Sequence, residues 1–334
     1  MNLYVHFPFC RRKCTYCALH SRAGSTEERR ANYVEDLARR AAGLHGPLST
    51  IYFGGGSPAL CDLSPLFAVL KPLMAENCEF TVELHPLDVT RDALAALRAG
   101  GVNRISMGVQ SLGDATLAHM GRGYTFDEAE CAFALVREYF DNAGIDLIVG
   151  YPMASDGARL ERLAGWGLKH CSVYSLILEE RSILSKMVER QGLKIPSDDV
   201  VLDRIREVSR FLKSIGLRRY EISNYAVPGF ECRHNMAVWR GEDYIGLGEG
   251  AHGRIGLTRT ASGVAETVSQ ETDEKERRLF RLRTIEGLDA SGHPEWIKPL
   301  DKFADEGLLA KTDEVYRLTE RGSEVCDSIL AELV

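Results

Sequence analysis

The sequence predicts an α/β fold, a partial or open parallel barrel of six strand-helix units followed by a smaller α+β module. Three observations carry that prediction. Short β-rich runs alternate with segments whose apolar residues recur at helical spacing, and consecutive parallel strands need crossovers of this kind. The chain is 334 residues long, more than one ordinary domain and enough for a barrel-like unit with an appendage. Its unusual residues fall at the ends of predicted strands, where sites gather in parallel α/β sheets.

The strands are read at residues 3–9, 50–53, 80–84, 104–109, 145–149 and 171–178, each short and rich in β-branched or aromatic residues. Helical spacing marks 27–42, 63–74, 91–99, 125–139 and 157–166 between them. Six units suit a partial barrel better than a closed one of eight. Beyond them, 198–215 reads as a helix ended by Gly216, 220–225 as a further strand, and the glycine-rich 244–256 as a loop. A helix-rich module is expected from about Lys275, with a hairpin at 308–318 turning through Thr312-Asp313-Glu314 between two helices. That outline resembles a winged helix. Residues 296–334 nevertheless hold five Lys or Arg against nine Asp or Glu, which argues against nucleic acid and for packing or lid duty.

With 45% apolar and 27% charged residues, the composition is that of a soluble globular protein, and no apolar run is long enough to span a bilayer. The net charge of −7 argues against broad polyanion binding. No signal segment precedes the first predicted strand, so the nine cysteines are read in a reducing, cytoplasmic setting without obligatory pairing. Cys61, Cys78, Cys131, Cys171, Cys232 and Cys326 are scattered and are expected to be mostly small core residues.

Cys10, Cys14 and Cys17 are different, because they lie together just after the first strand. A cubane iron-sulfur cluster has four irons, each wanting a thiolate, and a C-x3-C-x2-C loop supplies three. The fourth iron is left open for a substrate or cofactor. S-adenosylmethionine, whose amino and carboxylate groups can chelate that iron, is the ligand this implies. Structural zinc completed by His6 or His20, and ordinary buried thiols, are the alternatives. Zinc sites more often pair distant C-x2-C knuckles, and no second knuckle occurs. Arg11, Arg12 and Lys13 inside the loop are read as partly solvated and partly offsetting the negative charge of a thiolate-bound cluster.

Other candidates follow the same geography. Gly54-Gly55-Gly56 strips side chains from a strand end, so a polar group of S-adenosylmethionine can lie on the backbone. Glu83 and Asp146 sit within apolar strands, where a lone charge is expensive; an ammonium or hydroxyl of a nucleoside cofactor would satisfy them, as would a salt bridge from Arg104 or Arg122. Gln110 leaves its strand as a neutral polar residue, suited to ribose or adenine and equally to capping a loop. His234, near Cys232 and Trp239, and His252 between glycines, are either iron ligands or core histidines.

Together these residues resemble the radical S-adenosylmethionine (SAM) superfamily, and within it the oxygen-independent coproporphyrinogen III oxidase-like family. The segments carrying the resemblance are Tyr4-Val5-His6-Phe7-Pro8-Phe9-Cys10, Gly54-Gly55-Gly56-Ser57-Pro58, Asn103 to Ser111, Asp146 to Pro152 and Cys232-Arg233-His234-Asn235, in the family's order. The resemblance implies a radical SAM core over 1–235 and a HemN-like C-terminal domain over 236–334. It implies a [4Fe-4S] cluster on Cys10, Cys14 and Cys17, with Tyr16 beside it. Tyr4, Gly55, Gly56, Ser57, Glu83, Gln110, Arg122 and Asp146 would line the cofactor pocket.

The heme chaperone (HemW-like) branch is favoured over the true oxidase, which usually carries a longer leading segment and a fourth cysteine where Leu19 stands. His234-Asn235 resembles the H-N-x-x-Y-W motif linked to heme, with Val238 in place of the tyrosine. Ser57 replaces a common Thr, and His85 a common Asn. The expected partners are heme or porphyrin, heme-acceptor proteins and a reductant such as flavodoxin or ferredoxin; peripheral membrane association and a homodimer are compatible with it. The alternative is a radical enzyme acting on a porphyrin or another substrate.

Overall fold

A computed structural model describes residues 1–152 and 157–333. Six strands, β1 (Asn2–Phe7), β2 (Leu48–Gly55), β3 (Met74–Leu84), β4 (Arg104–Gln110), β5 (Asn142–Val149) and β6 (His170–Ser175), pair in chain order and all in parallel. Successive side chains on a strand point to opposite faces, and here the two faces differ in kind. Leu3, Val5, Phe7, Ile51, Phe53, Phe80, Val82, Ile105 and Met107 are all buried in the main core. The alternate positions are polar and align across the sheet: Tyr4 beside Tyr52, Tyr52 beside Thr81, Glu83 beside Ser106, and Asp146 beside Ser172.

Helices α1 (Glu27–Ala41), α2 (Ser64–Leu70), α3 (Arg91–Ala99), α4 (Asp114–Met120) and α5 (Phe126–Tyr139) lie in the connections. Their starts are written in the sequence. Thr26 and Thr90 accept backbone N–H groups of the first turns of α1 and α3, and Thr125 forms a reciprocal cap with Glu128 at α5. The helix expected over 63–74 stops at Leu70 and continues as a 3₁₀ turn over Lys71–Leu73, because Pro72 has no N–H to extend it. Gly157–Trp166 is likewise 3₁₀.

After β6 come α6 (Ile183–Gln191), α7 (Asp198–Ser214), β7 (Arg218–Arg219), β8 (Asn224–Ala226) and α8 (Arg233–Trp239). The strand read at 220–225 is thus confined to its end. The larger correction concerns 244–256, read as a loop. It contains β9 (Tyr244–Leu247), which pairs in parallel with the free side of β1, and β10 (His252–Ile255), which turns back on β9. β11 (Thr258–Ala261) and β12 (Val264–Thr267) extend the sheet to twelve strands, in the order β12-β11-β10-β9-β1-β2-β3-β4-β5-β6-β8-β7. The glycines misled because here they serve close approach: a Cβ on Gly246 would stand 2.1 Å from the His252 carbonyl oxygen.

The remaining chain forms α9 (Gln270–Arg281), β13 (Leu288–Asp289), α10 (Pro294–Asp305), β14 (Leu309–Thr312), β15 (Val315–Leu318), α11 (Glu320–Ser323) and α12 (Cys326–Ala331). The expected hairpin is present, its turn made by Asp313 at φ +53°. Leu288, Trp296, Leu300, Tyr316 and Ile329 centre a separate core. Of the six scattered cysteines, Cys131 alone is exposed and the rest are buried. Among the described residues no helix is long and apolar enough to cross a membrane.

Gly246→Ala is expected to lower stability by about 1–3 kcal/mol, as overpacking against rigid backbone does; a urea melt beside wild type checks this.

Candidate functional site

A cavity of about 890 Å³ opens where the six parallel strands end. Cys10, Cys14 and Cys17 share it with Tyr16, Gly55, Gly56, Ser57, Glu83, Gln110, Arg122 and Asp146, so eleven of the thirteen residues singled out from sequence converge on one space. The cysteine loop is pinned from both sides. Phe9–Cys10 pairs with Arg22–Ala23, while the Thr15 N–H donates to the Met120 carbonyl at 3.1 Å and the Thr15 hydroxyl meets that of Tyr151 at 2.8 Å.

Of the loop cations, Lys13 acts to lower the Cys10 thiol as expected, and a cation from outside the loop, Arg122, joins it. Arg11 pairs with Asp88, and Lys13 donates to the Leu19 carbonyl and the Ser21 hydroxyl. Arg122 reaches Cys14 Sγ at 3.4 Å, its other nitrogens held by Tyr124 and the Gly108 carbonyl. It is buried, and as a permanent cation it lowers the cost of negative sulfur close by. Burial pushes the Cys10 thiol up, against a hydrogen bond from Ser21.

The zinc alternative loses its candidate fourth ligands. His6 Nε2 lies 2.8 Å from the His20 carbonyl, which only accepts, so this nitrogen carries the proton; Nδ1 then accepts the Tyr4 hydroxyl at 3.0 Å. His20 is engaged with Glu249. Among the described residues, no three His, Cys, Asp or Glu side chains are placed to hold a single metal ion; ligands of a cubane instead serve three separate irons.

The glycine turn is built by sterics. The N–H groups of Gly56 and Ser57 donate at 2.7 Å to the carbonyls of Phe7 and Phe9. A Cβ on Gly56 would meet the Phe9 oxygen at 2.3 Å, and one on Gly55, at φ +104°, would strike the His6 ring at 2.5 Å. Ser57 faces the cavity with its hydroxyl committed to Asp88, the carboxylate that also holds Arg11. Asp88 was missed as a site residue; the Pro86-Leu87-Asp88 turn that delivers it follows Glu83 by only a few residues.

Glu83 and Asp146 form the floor. Glu83 accepts the Tyr52 hydroxyl and the Gly55 N–H, each at 2.9 Å. Asp146 accepts the Ser106 hydroxyl at 2.9 Å and is also bonded to Ser172. The salt bridges considered from sequence do not form: among the described residues neither carboxylate has an ion pair with Arg104 or Arg122. Desolvation, then repulsion from Asp146, pushes Glu83 up to about 7; desolvation also raises Asp146. Arg104 lies near enough to offset part of the charge on both, and Arg122 part of that on Asp146, but neither contacts them directly. Tyr52 was missed too, although it shares a strand face with Gly54. Gln110 sits where the β4–β5 register slips, at φ +71°, a conformation rare for its type and concentrated at functional positions.

Two expected residues stand outside this cavity. The Tyr4 hydroxyl is turned to His6. His234, in the first turn of α8, is only 4% exposed and bonded through Nδ1 to the Thr50 hydroxyl at 2.8 Å. That hydroxyl donates to Asn2 Oδ1, so His234 Nδ1 is the donor. Thr50 begins the ladder of β2 while Gly55 ends it, about 16 Å apart at 3.3 Å per residue. His234 therefore plugs the opposite end of the barrel. Burial and the nearby Arg104 lower its pKa to about 4.

With this geometry in hand, comparison with known proteins is decisive. The Radical SAM superfamily model matches residues 4–164. The heme chaperone HemW of Mycobacterium tuberculosis is 34% identical over 369 residues, spanning 100% of this chain and 94% of that protein. The chain belongs to the radical SAM superfamily, in its HemW-like branch. HemW of Bacillus subtilis is 29% identical, with 99% of this chain and 100% of that protein covered. The solved structure of Escherichia coli coproporphyrinogen III oxidase (HemN), described as a radical SAM enzyme, superposes with a TM-score of 0.83 over 99% of this chain and 89% of its own, at 22% identity. The HemW-like fold is therefore the HemN fold.

Two outcomes follow. Because the Glu83 carboxyl is raised from 4.5 to about 7 on folding, its contribution to stability is fully present below pH 4.5 and lost as pH climbs through 7. Glu83→Gln should remove about 2–3 kcal/mol of that decline in the ligand-free protein, read as urea midpoints of both proteins at pH 5 and pH 8. His234→Ala should lose about 2–3 kcal/mol of stability, from the cavity and the broken bond to Thr50, in the same assay.

Proposed function

We propose that this HemW-like protein binds a [4Fe-4S] cluster through Cys10, Cys14 and Cys17, takes S-adenosylmethionine into the cavity beside it, and binds heme for delivery to acceptor proteins. The observation that carries the cofactor reading is the meeting of three thiols with two desolvated carboxylates that lack a direct ion pair among the described residues. A cation with hydroxyl and amino donors satisfies Glu83 and Asp146, and the glycine turn admits it to the backbone. Such a cluster, when bound, would supply single electrons to a cofactor held in the cavity. The chain's own residues position and shield: Arg122 holds positive charge at Cys14, Tyr16 packs edge-on against Tyr151, and Asp88 fixes Ser57 and Arg11. Heme binding and delivery rest on the names of the relatives at full-length coverage. A cytoplasmic setting, a flavodoxin-like or ferredoxin-like reductant, and the division into a 1–235 core and a 236–334 domain belong to the same reading.

Anaerobic reconstitution tests it, with hemin titration and a coproporphyrinogen decarboxylation assay run in parallel; decarboxylation without heme binding would replace the chaperone by a porphyrin enzyme. Alanine at Cys10, Cys14 or Cys17 should abolish cluster iron and sulfide. S-adenosylmethionine should perturb the reduced cluster's electron paramagnetic resonance spectrum. Glu83→Ala or Asp146→Ala should weaken that titration by about 1.5–3 kcal/mol, roughly tenfold to hundredfold.

A further inference from the structure

His85 lines the cysteine cavity, just past the end of β3. Its ring is fixed on two sides. Nδ1 accepts the Leu87 N–H at 3.2 Å, at the start of the Pro86–Asp88 turn. The ring also stands edge-on to Tyr124, with centroids 5.2 Å apart, and the Tyr124 hydroxyl is the group that receives Arg122 Nε. An imidazole nitrogen that accepts an N–H carries no proton, so the proton of the neutral ring sits on Nε2. Burial, then the positive charges of Arg122 and Arg11, lowers the pKa of this histidine to about 3, so the ring stays uncharged near neutral pH. The Nε2–H has no protein partner among the described residues.

The polar groups of the cavity divide by chemistry. Glu83 and Asp146 offer acceptors, whereas His85, Arg122 and Arg11 offer donors. The donors lie toward the cysteine loop, since Arg122 reaches Cys14 Sγ at 3.4 Å and Arg11 follows Cys10 in the chain. Two of the three are already committed: Arg122 to Tyr124, the Gly108 carbonyl and Cys14, and Arg11 to Asp88. The His85 N–H is the uncommitted one. In S-adenosylmethionine the charged acceptor is the carboxylate, and it belongs to the end of the molecule able to reach an open iron held by the loop. A neutral donor beside two guanidinium charges suits that group, because the cations favour the anion while the imidazole N–H gives it a direction.

We propose that His85 is a further cofactor-binding residue, donating from Nε2 to a carboxylate oxygen of S-adenosylmethionine. The inference rests on the cofactor reading above and assigns the aminoacyl end of the ligand a contact.

The test titrates the full chain, anaerobically reconstituted, with S-adenosylmethionine and with its decarboxylated form, which keeps the amine, the sulfonium and the nucleoside. Calorimetry gives the affinities. His85→Asn and His85→Asp both retain an acceptor for the Leu87 N–H, but only the carboxamide also donates; His85→Ala does neither. His85→Asn should bind S-adenosylmethionine within about threefold of wild type, and His85→Asp and His85→Ala should lose roughly tenfold to hundredfold, as expected for a hydrogen bond to a charged group. For the decarboxylated form, His85→Ala should match wild type within about threefold. Cluster iron and sulfide should be unchanged in all variants.

His85→Asp that binds as well as His85→Asn makes the residue a turn cap alone and overturns the proposal. An equal loss in His85→Ala for both ligands overturns the carboxylate as its partner. Wild-type affinity in every variant overturns the contact and leaves the cofactor reading standing. Wild type that carries its cluster and binds neither ligand overturns the cofactor reading and the proposal together.

Discussion

A carboxylate drawn out of water must be neutralised or given a cation, and the inner face of this sheet is organised around two that have no direct ion pair among the described residues, with Arg104 and Arg122 only near enough to offset part of the charge. Much of the local structure exists to hold them. Tyr52 and the Gly55 amide serve Glu83, and Ser106 serves Asp146. Gly54 is required beside Glu83, because a Cβ there would stand 2.9 Å from its carboxyl. The six parallel strands bring these groups from widely separated segments to one depth. Neutral hydrogen bonds only partly offset desolvation, so the ligand-free pocket is poised for a cation.

The two ends of the barrel have separate duties. At the carboxyl ends of the strands, loops are free to carry chemistry, and the cysteine loop, the glycine turn and Asp88 meet there. At the amino ends, α8 closes the barrel: Cys232 and the His234 amide approach Glu79, and the Cys232 amide donates to the Tyr220 hydroxyl, which also binds His170. Arg104, 1% exposed, lies in this layer near Glu79 and Cys232. His234, the histidine of the motif, belongs to this polar plug through its bond to Thr50.

The segment after α8 works at a distance from its own sequence position. By pairing with β1, β9 buttresses the strand that launches the cysteine loop. The following turn carries Glu249 to Arg22 and His20, just beyond that loop. Farther on, the C-terminal module meets α7 through Arg206 and Glu324.

The sequence by itself determined what is local. Strand-helix alternation, threonine caps, the cysteine spacing and the glycine run each depend on residues a few positions apart, so α3 appears at 91–99 as read and the three loop cysteines line the cavity. Glu83 and Asp146 were also legible, since a charge inside an apolar strand needs a reason wherever it folds. Only the tertiary structure decided which distant groups meet. It set Arg122 beside Cys14, gave Tyr52 to Glu83 and Asp88 to Ser57, and sent His234 to the far end of the barrel. It also turned the glycines of 244–256 into strand contacts. Periodicity and spacing are one-dimensional, whereas these outcomes depend on register across the sheet and on which end of a strand a residue occupies.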